Sequence, residues 1–226
     1  MLRRIFANSV AAKRVVLGAV LFWLSLAVAA EQSPAAVVVV TDLQQKLVAV
    51  WRSNMDFEQR FEALASPIEA SHDLASMARF ALGSQWQGLS AAQREQFLAT
   101  FQRLTIATYA DRFDEYDGER FVQSGQRRLA EGKSLVHTKL LLSDGAQIRL
   151  DYLLYLQDGQ WRIINVLANG VSELAIKRSE YTAFIRDHGF AALIEELQRK
   201  TSQLVDERQT ARTRTSGSIG CRLIRA

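Results

Sequence analysis

The sequence predicts an α+β domain in which helices lead into a four-stranded antiparallel sheet and further helices close the chain, one sheet face being covered. Three observations predict it. Apolar residues recur at helical spacing through the first half, and the period drops to two from Phe121. After Asn169-Gly170 the helical period returns.

The elements follow in order. Val37 to Arg52 combines a valine run with Leu43, Leu47, Val50 and Trp51 at amphipathic spacing, and Phe57, Phe61 and Leu64 carry the pattern to Ser66-Pro67, where a helix should stop. Asp73 is placed to cap a helix through Leu74, Met77, Ala78 and Leu82, ended by Gly83. Ser90 and Gln93 form a capping-box pair ahead of a long helix from Ala91 to about Phe113. Along it Phe97, Phe101, Leu104 and Thr108 make one stripe, with Leu98, Thr105, Tyr109 and Phe113 beside it. The apolar face is therefore wide.

Strands are predicted near Phe121 to Leu129, then Ser134 to Leu142, Gln147 to Leu156 and Gln160 to Ala168. Asp144-Gly145 and Asp158-Gly159 supply tight turns between the last three. Ile148, Leu150, Tyr152, Leu154 and Leu156 share one face of the third strand. Leu174, Ile176, Tyr181, Phe184 and Ile185 then mark a helix, and Phe190, Leu193, Ile194 and Leu197 continue it after Gly189.

Around this domain, residues 31–205, the two ends differ in composition. Arg3, Arg4, Lys13 and Arg14 precede the apolar run Val15 to Val28, which is short for a membrane span, and Ala27-Val28-Ala29 offers a signal-peptidase site. Residues 1–30 thus read as a cleaved export signal. Residues 206–226 read as a disordered basic tail holding the single cysteine, Cys221. The formal net charge of +4 includes four cations from the signal and five arginines from Arg208 onward, so the folded part is net acidic. That sign argues against a nucleic-acid partner.

Catalytic motifs are absent from the sequence: there is no Gly-rich phosphate loop and no Gly-x-Ser-x-Gly elbow. His72, His137 and His188 are far apart, without metal-ligand neighbours at helical spacing, and read as surface or helix-end residues. The acidic run Asp111, Asp114, Glu115, Asp117 and Glu119 reads as a solvated helix end. No catalytic residue, metal or cofactor is expected. A wide apolar helix face opposed to an apolar sheet face can instead leave a cavity for hydrocarbon, whose burial gains roughly 0.8 kcal/mol per methylene.

The strings FLATFQRLTIATYADRFDEYDGERF and VHTKLLLSDGAQIRLDYLLYLQDGQWRIINVLANGVSELAIKRSEYTAFIRDHGFAALIEELQRK, with MARFALGSQW before them, resemble the MlaC (toluene-tolerance) family of periplasmic phospholipid-binding proteins. Ala168 to Ser172 and Lys177-Arg178 are most similar to its hopanoid-associated, HpnM-like branch. The resemblance implies an NTF2-like or cystatin-like sheet, with an apolar pocket between it and the helical layer. It also implies a shuttle that carries a phospholipid or hopanoid lipid across the periplasm. Its expected partners are membrane transport complexes, one of them an inner-membrane ABC transporter with an MCE-domain component. Where the family usually has Asp-Val, this chain has Asn165-Val166.

The expected lining comprises Phe97, Phe101, Leu104, Tyr109 and Phe113 on the long helix. From the sheet it takes Val136, Leu140, Leu150, Tyr152, Leu154, Ile163 and Val166. Val171, Tyr181 and Phe184 complete it beyond the last turn. Two competing readings are a small-molecule enzyme on an NTF2-like scaffold, which would need a polar pocket with a His/Asp or Tyr/Asp pair, and a protein-binding periplasmic adaptor.

Overall fold

The computed structural model describes residues 35–223, with side chains to Asp206. The expected export signal and the side chain of Cys221 lie outside what it describes. Six helices and five strands follow one another as α1 (Ala36–Trp51), α2 (Phe57–Ser71), α3 (Leu74–Leu82), α4 (Gln85–Gly88), α5 (Ala91–Arg112), β1 (Arg120–Arg128), β2 (Lys133–Leu141), β3 (Gln147–Gln157), β4 (Gln160–Ala168), β5 (Val171–Ser172) and α6 (Glu173–Leu223). The strands form one antiparallel sheet in sequence order. This is the α+β arrangement expected, with a two-residue fifth strand added where Val171 and Ser172 pair back onto Ala168 and Leu167.

Local chemistry sets most boundaries. Asp56 with Gln59, and Ser90 with Gln93, close reciprocal capping boxes at the heads of α2 and α5. Asp73 accepts from Ser76 N at the head of α3. One boundary differs: α2 continues through Pro67 to Ser71. Proline removes one helical hydrogen bond, but Leu64 and Ile68 flank it fully buried in the core, and their packing carries the helix across the gap. At Gly189 the backbone of α6 leaves helical geometry, with φ 84° and ψ 168°.

Two sheet faces follow from the register. Ser134, Val136 and Thr138 on β2 and Tyr152 and Leu154 on β3 are buried on the inner face. α1 lies against this face, where Gln44 Nε2 donates to Thr138 Oγ1 at 3.1 Å and to Tyr152 OH at 3.4 Å. α2, α3 and α6 also reach the sheet, at β4, whereas α5 packs mainly against α2 and α6. Between Leu153 and Leu154 the β3–β4 register slips by one residue, so Leu153 faces Asn165 while Leu154 faces Ile163. Ile164 is the extra residue. Such a bulge changes the parity of the strand, and it brings Ile163 and Val166 to the same inner face although three positions separate them.

Candidate functional site

The inner layer is closely filled. Phe97, Leu154 and Ile163 have no exposure, and Phe101, Leu104, Phe113, Val136, Tyr152 and Tyr181 are buried in the same cluster. Phe97 turns toward α6, its ring 6.2 Å from that of Tyr181 and 6.5 Å from that of Phe190. Phe113 meets Trp51 at 4.9 Å and Phe121 of β1 at 6.3 Å. Leu140, Leu150 and Phe184 pack at the edge of the core, and Val171 is 55% exposed on β5.

Three of the expected residues, Phe101, Tyr109 and Val166, come together around a cavity of about 70 Å³ bounded by α3, α5, β4 and the first turns of α6. Met77, Thr105, Thr108 and Leu174 complete its apolar wall, Asn165 and His72 add polar atoms, and Arg112, Glu173 and Lys177 stand at its rim. The long α5 stripe supplies one side, since Phe101, Thr105, Thr108 and Arg112 succeed one another at three- and four-residue steps. Thr105 and Thr108 return their hydroxyls to the carbonyls of Phe101 and Leu104, at 2.7 Å each, which leaves their methyl groups free for the apolar wall.

A buried polar pair borders this cavity. His72 caps the C-terminus of α2 as a helix-end residue, but with 3% exposure it is interior and not on the surface. Its Nδ1 lies 3.1 Å from Ile68 O and 2.9 Å from Ser71 Oγ, and its Nε2 lies 3.2 Å from Tyr109 OH. A ring that donates from Nδ1 to Ile68 O accepts at Nε2 from the tyrosine. Burial lowers the His72 pKa from 6.5 to about 4, against a smaller opposing effect of the backbone bond, and it raises that of Tyr109. The pair is thus neutral at physiological pH. Sequence spacing cannot pair residues 37 positions apart, although the α5 stripe does mark Tyr109.

At the rim, Arg112 grips Glu173 through two contacts, 2.8 and 3.1 Å, that tie α5 to α6 in solvent. Burial holds the Lys177 ammonium below its ordinary range. Asn165 Oδ1 accepts from Ser172 Oγ at 3.0 Å, and Ser172 Oγ in turn accepts from Ala175 N at the head of α6. A neutral amide at position 165 thus joins β4 to the start of α6.

Across the sheet, a larger cleft of about 620 Å³ lies between α3, α6 and the outer sides of β3 and β4. It shares only Asn165 and Leu174 with the inner cavity. A His/Asp pair also exists on the outer face, His137 Nδ1 to Asp151 Oδ1 at 2.8 Å, with Arg149 on the other carboxylate oxygen at 3.1 Å. Neither of the two cavities is lined by it. Tyr152 and Asp151 point to opposite faces, as their alternation requires. The acidic run is not simply a solvated end: Asp114 pairs with the buried Arg60 at 2.7 Å, and Glu119 accepts from Asp117 N at 2.7 Å. Among the described residues no cluster could hold a metal ion, and no helix is long and apolar enough to cross a membrane.

The family model described as MlaC protein matches residues 39–199. The intermembrane phospholipid transport system binding protein MlaC of Haemophilus influenzae is 25% identical over 126 residues, 54% of this chain and 59% of that protein. The chain thus matches less than two thirds of the length of that curated relative. Among solved structures, a phospholipid-binding protein from Ralstonia solanacearum, in complex with a phospholipid, superposes with a TM-score of 0.67 at 19% identity, covering 75% of this chain and 98% of that one. The likeness extends to the helical layer and the open antiparallel sheet. With the family match running from α1 into the second half of α6, the chain belongs to the MlaC family.

Proposed function

We propose that the protein is a periplasmic carrier, and not an enzyme, that takes the apolar part of a membrane lipid between α5, α6 and the β4 edge and leaves the headgroup outside. The observation that carries this reading is the partly open, mainly apolar cavity at that junction, lined at its polar side by Arg112 and Lys177. A phospholipid is the cargo named for both similar proteins above. A hopanoid is the alternative that the sequence resemblance adds.

A volume of about 70 Å³ does not hold an acyl chain, because pockets for drug-sized ligands run to roughly 300–1,000 Å³. Loading therefore requires α5 to part from the first turns of α6 and from β4. The tie that resists this across the rim is the Arg112–Glu173 pair, more than one third exposed on both sides and so worth roughly 0–1 kcal/mol. Two 16-carbon tails offer roughly 25 kcal/mol of apolar transfer in return. Such a ligand leaves slowly into water, so delivery falls to partner complexes that open the same junction, in the family's pattern a membrane-bound ABC transporter with an MCE-domain component.

Native mass spectrometry tests the reading. Protein purified from cells, or incubated with liposomes of phosphatidylethanolamine and phosphatidylglycerol, is expected to carry the mass of one lipid, and extraction then identifies it as phospholipid or hopanoid. Recovery of bare chain from both preparations overturns the proposal.

A further inference from the structure

The 620 Å³ cleft on the outer side of the sheet has a chemistry of its own. Its floor is apolar, made by Leu153, Tyr155 and Ile164; alternation turns Ile164 to this side while Ile163 stays in the core, and the β4 bulge keeps Asn165 beside Ile164 on the cleft. Phe80 of α3 forms one wall, and both Phe80 and Tyr155 keep large exposed surfaces, 42% and 37%. Cations border it. Arg79 and Arg178 make no ion pair among the described residues, whereas Lys133 and Glu131 neutralise one another at 2.8 Å. The local excess is thus two guanidinium groups beside an apolar floor, on a folded part that is net acidic.

Arg178 is also held in position. Its guanidinium carbon lies 4.9 Å from the centre of the Phe80 ring, and on another side it is received by Gly83, where an added Cβ would stand 3.0 Å from Nε. Gly83 ends α3 with φ +56°, so the residue that stops the helix also makes room for the cation. An arginine fixed between an aromatic face and bare backbone presents its remaining N–H groups in a set direction, which suits a phosphate or carboxylate.

We propose that this cleft is a second binding site, separate from the inner cavity, for an anionic amphiphile: its acidic head on Arg79 and Arg178, its hydrocarbon along Phe80, Leu153, Tyr155 and Ile164. The volume lies within the range of small-molecule pockets. Leu174, 5% exposed, and Asn165 form the wall between this site and the interior. The site does not depend on the carrier reading, since Arg79, Arg178 and the floor residues line this cleft and none of them lines the inner cavity.

Dodecyl phosphate, inorganic phosphate and dodecyl maltoside are the probes, titrated calorimetrically into the purified protein, with methyl chemical shifts recorded in parallel. Dodecyl phosphate is expected to bind, to shift the methyls of Leu153 and Ile164, and to bind at least tenfold more weakly to the Arg79→Gln/Arg178→Gln double variant. Each of the other two probes, lacking either tail or charge, is expected to bind at least tenfold more weakly than dodecyl phosphate. Equal binding of inorganic phosphate overturns the amphiphile assignment, and unchanged affinity of the double variant overturns the head-binding assignment. Thr105→Phe, which fills the inner cavity, separates the two sites. If it abolishes dodecyl phosphate binding, the outer cleft is only the mouth of the interior and the second site fails, while the carrier reading stands. Retained binding supports two sites.

Discussion

Removing the titration of His72 should flatten the acid sensitivity of the fold. The ring is 3% exposed and its three polar neighbours, Ile68 O, Ser71 Oγ and Tyr109 OH, accommodate the neutral form. In the unfolded chain it takes up a proton as the pH falls below 6.5, and in the folded chain only near pH 4. Between those values the unfolded state binds more protons, so stability is complete above pH 6.5 and is lost as the pH falls toward 4. A gap of roughly 2.5 units at 1.36 kcal/mol each makes the loss about 3 kcal/mol. With a urea slope of about 2 kcal/mol per molar, the denaturation midpoint should fall by about 1.5 M across that window. The carboxylates titrate in both chains, so the difference between wild type and His72→Gln isolates the histidine. The variant is expected to lose about 1–2 kcal/mol at pH 7, where Tyr109 loses its acceptor, but, lacking the histidine's acid loss of about 3 kcal/mol, to cross wild type within that window and to be about 1–2 kcal/mol the more stable at pH 4. Parallel stability curves, or a ring titration of His72 centred near pH 6.5 in NMR spectra of the folded protein, would refute the reasoning.

Two further outcomes follow from ion pairs of opposite character. Arg60 is 3% exposed, donates to Ala110 O and Met55 O at 2.8 Å each, and pairs with Asp114, joining α2 to the end of α5. Arg60→Met should destabilise by roughly 2–4 kcal/mol, read by chemical denaturation, because it removes the charged donor of the Ala110 and Met55 carbonyls from a buried site. Arg112→Ala removes an exposed pair and should change stability by less than about 1 kcal/mol. Lipid uptake from liposomes should nevertheless become faster in that variant, as followed by time-resolved native mass spectrometry; unchanged uptake would mean that the rim tie does not limit opening.

Local signals in the sequence carried much of the fold. Capping boxes at Ser90 and Asp73's cap place α5 and α3, and the Asp158-Gly159 pair places the β3–β4 turn, with Asp158 at φ 49° and Gly159 at φ 76°. These are interactions within a few residues, so composition and spacing disclose them. Pro67 misled because a helix interior can be sustained by Leu64 and Ile68 packing on distant partners. The layering misled for a similar reason: the widest apolar stripe is on α5, but the helices that pack on the sheet are α1, α2, α3 and α6, α1 being fixed by the Gln44 bonds to Thr138 and Tyr152 from 94 and 108 positions away. An apolar stripe states that a face is buried and not against what. Hence Phe97, expected to face the sheet across a lipid, meets α6.

The β4 bulge explains why the candidate site was only partly legible. Strict alternation would put Ile163 and Asn165 on one face and Ile164 and Val166 on the other. One extra residue instead sends Ile163 and Val166 inward and turns Ile164 and Asn165 to the cleft. Nothing in the run WRIINVLA announces the slip, because every residue but Arg162 and Asn165 is apolar or aromatic and so tolerates either face. The same slip sets Asn165 where its amide can take the Ser172 hydroxyl that caps α6. A carboxylate there could accept the same bond, but at the shared wall of the two cavities it would offset one of the cations on either side, Lys177 within or Arg178 without. The neutral amide therefore keeps both cavities available to anionic heads, and Asn165→Asp should weaken dodecyl phosphate binding while leaving the α6 cap intact. Unaltered affinity would show that the wall charge is screened and that head recognition rests on the arginines alone.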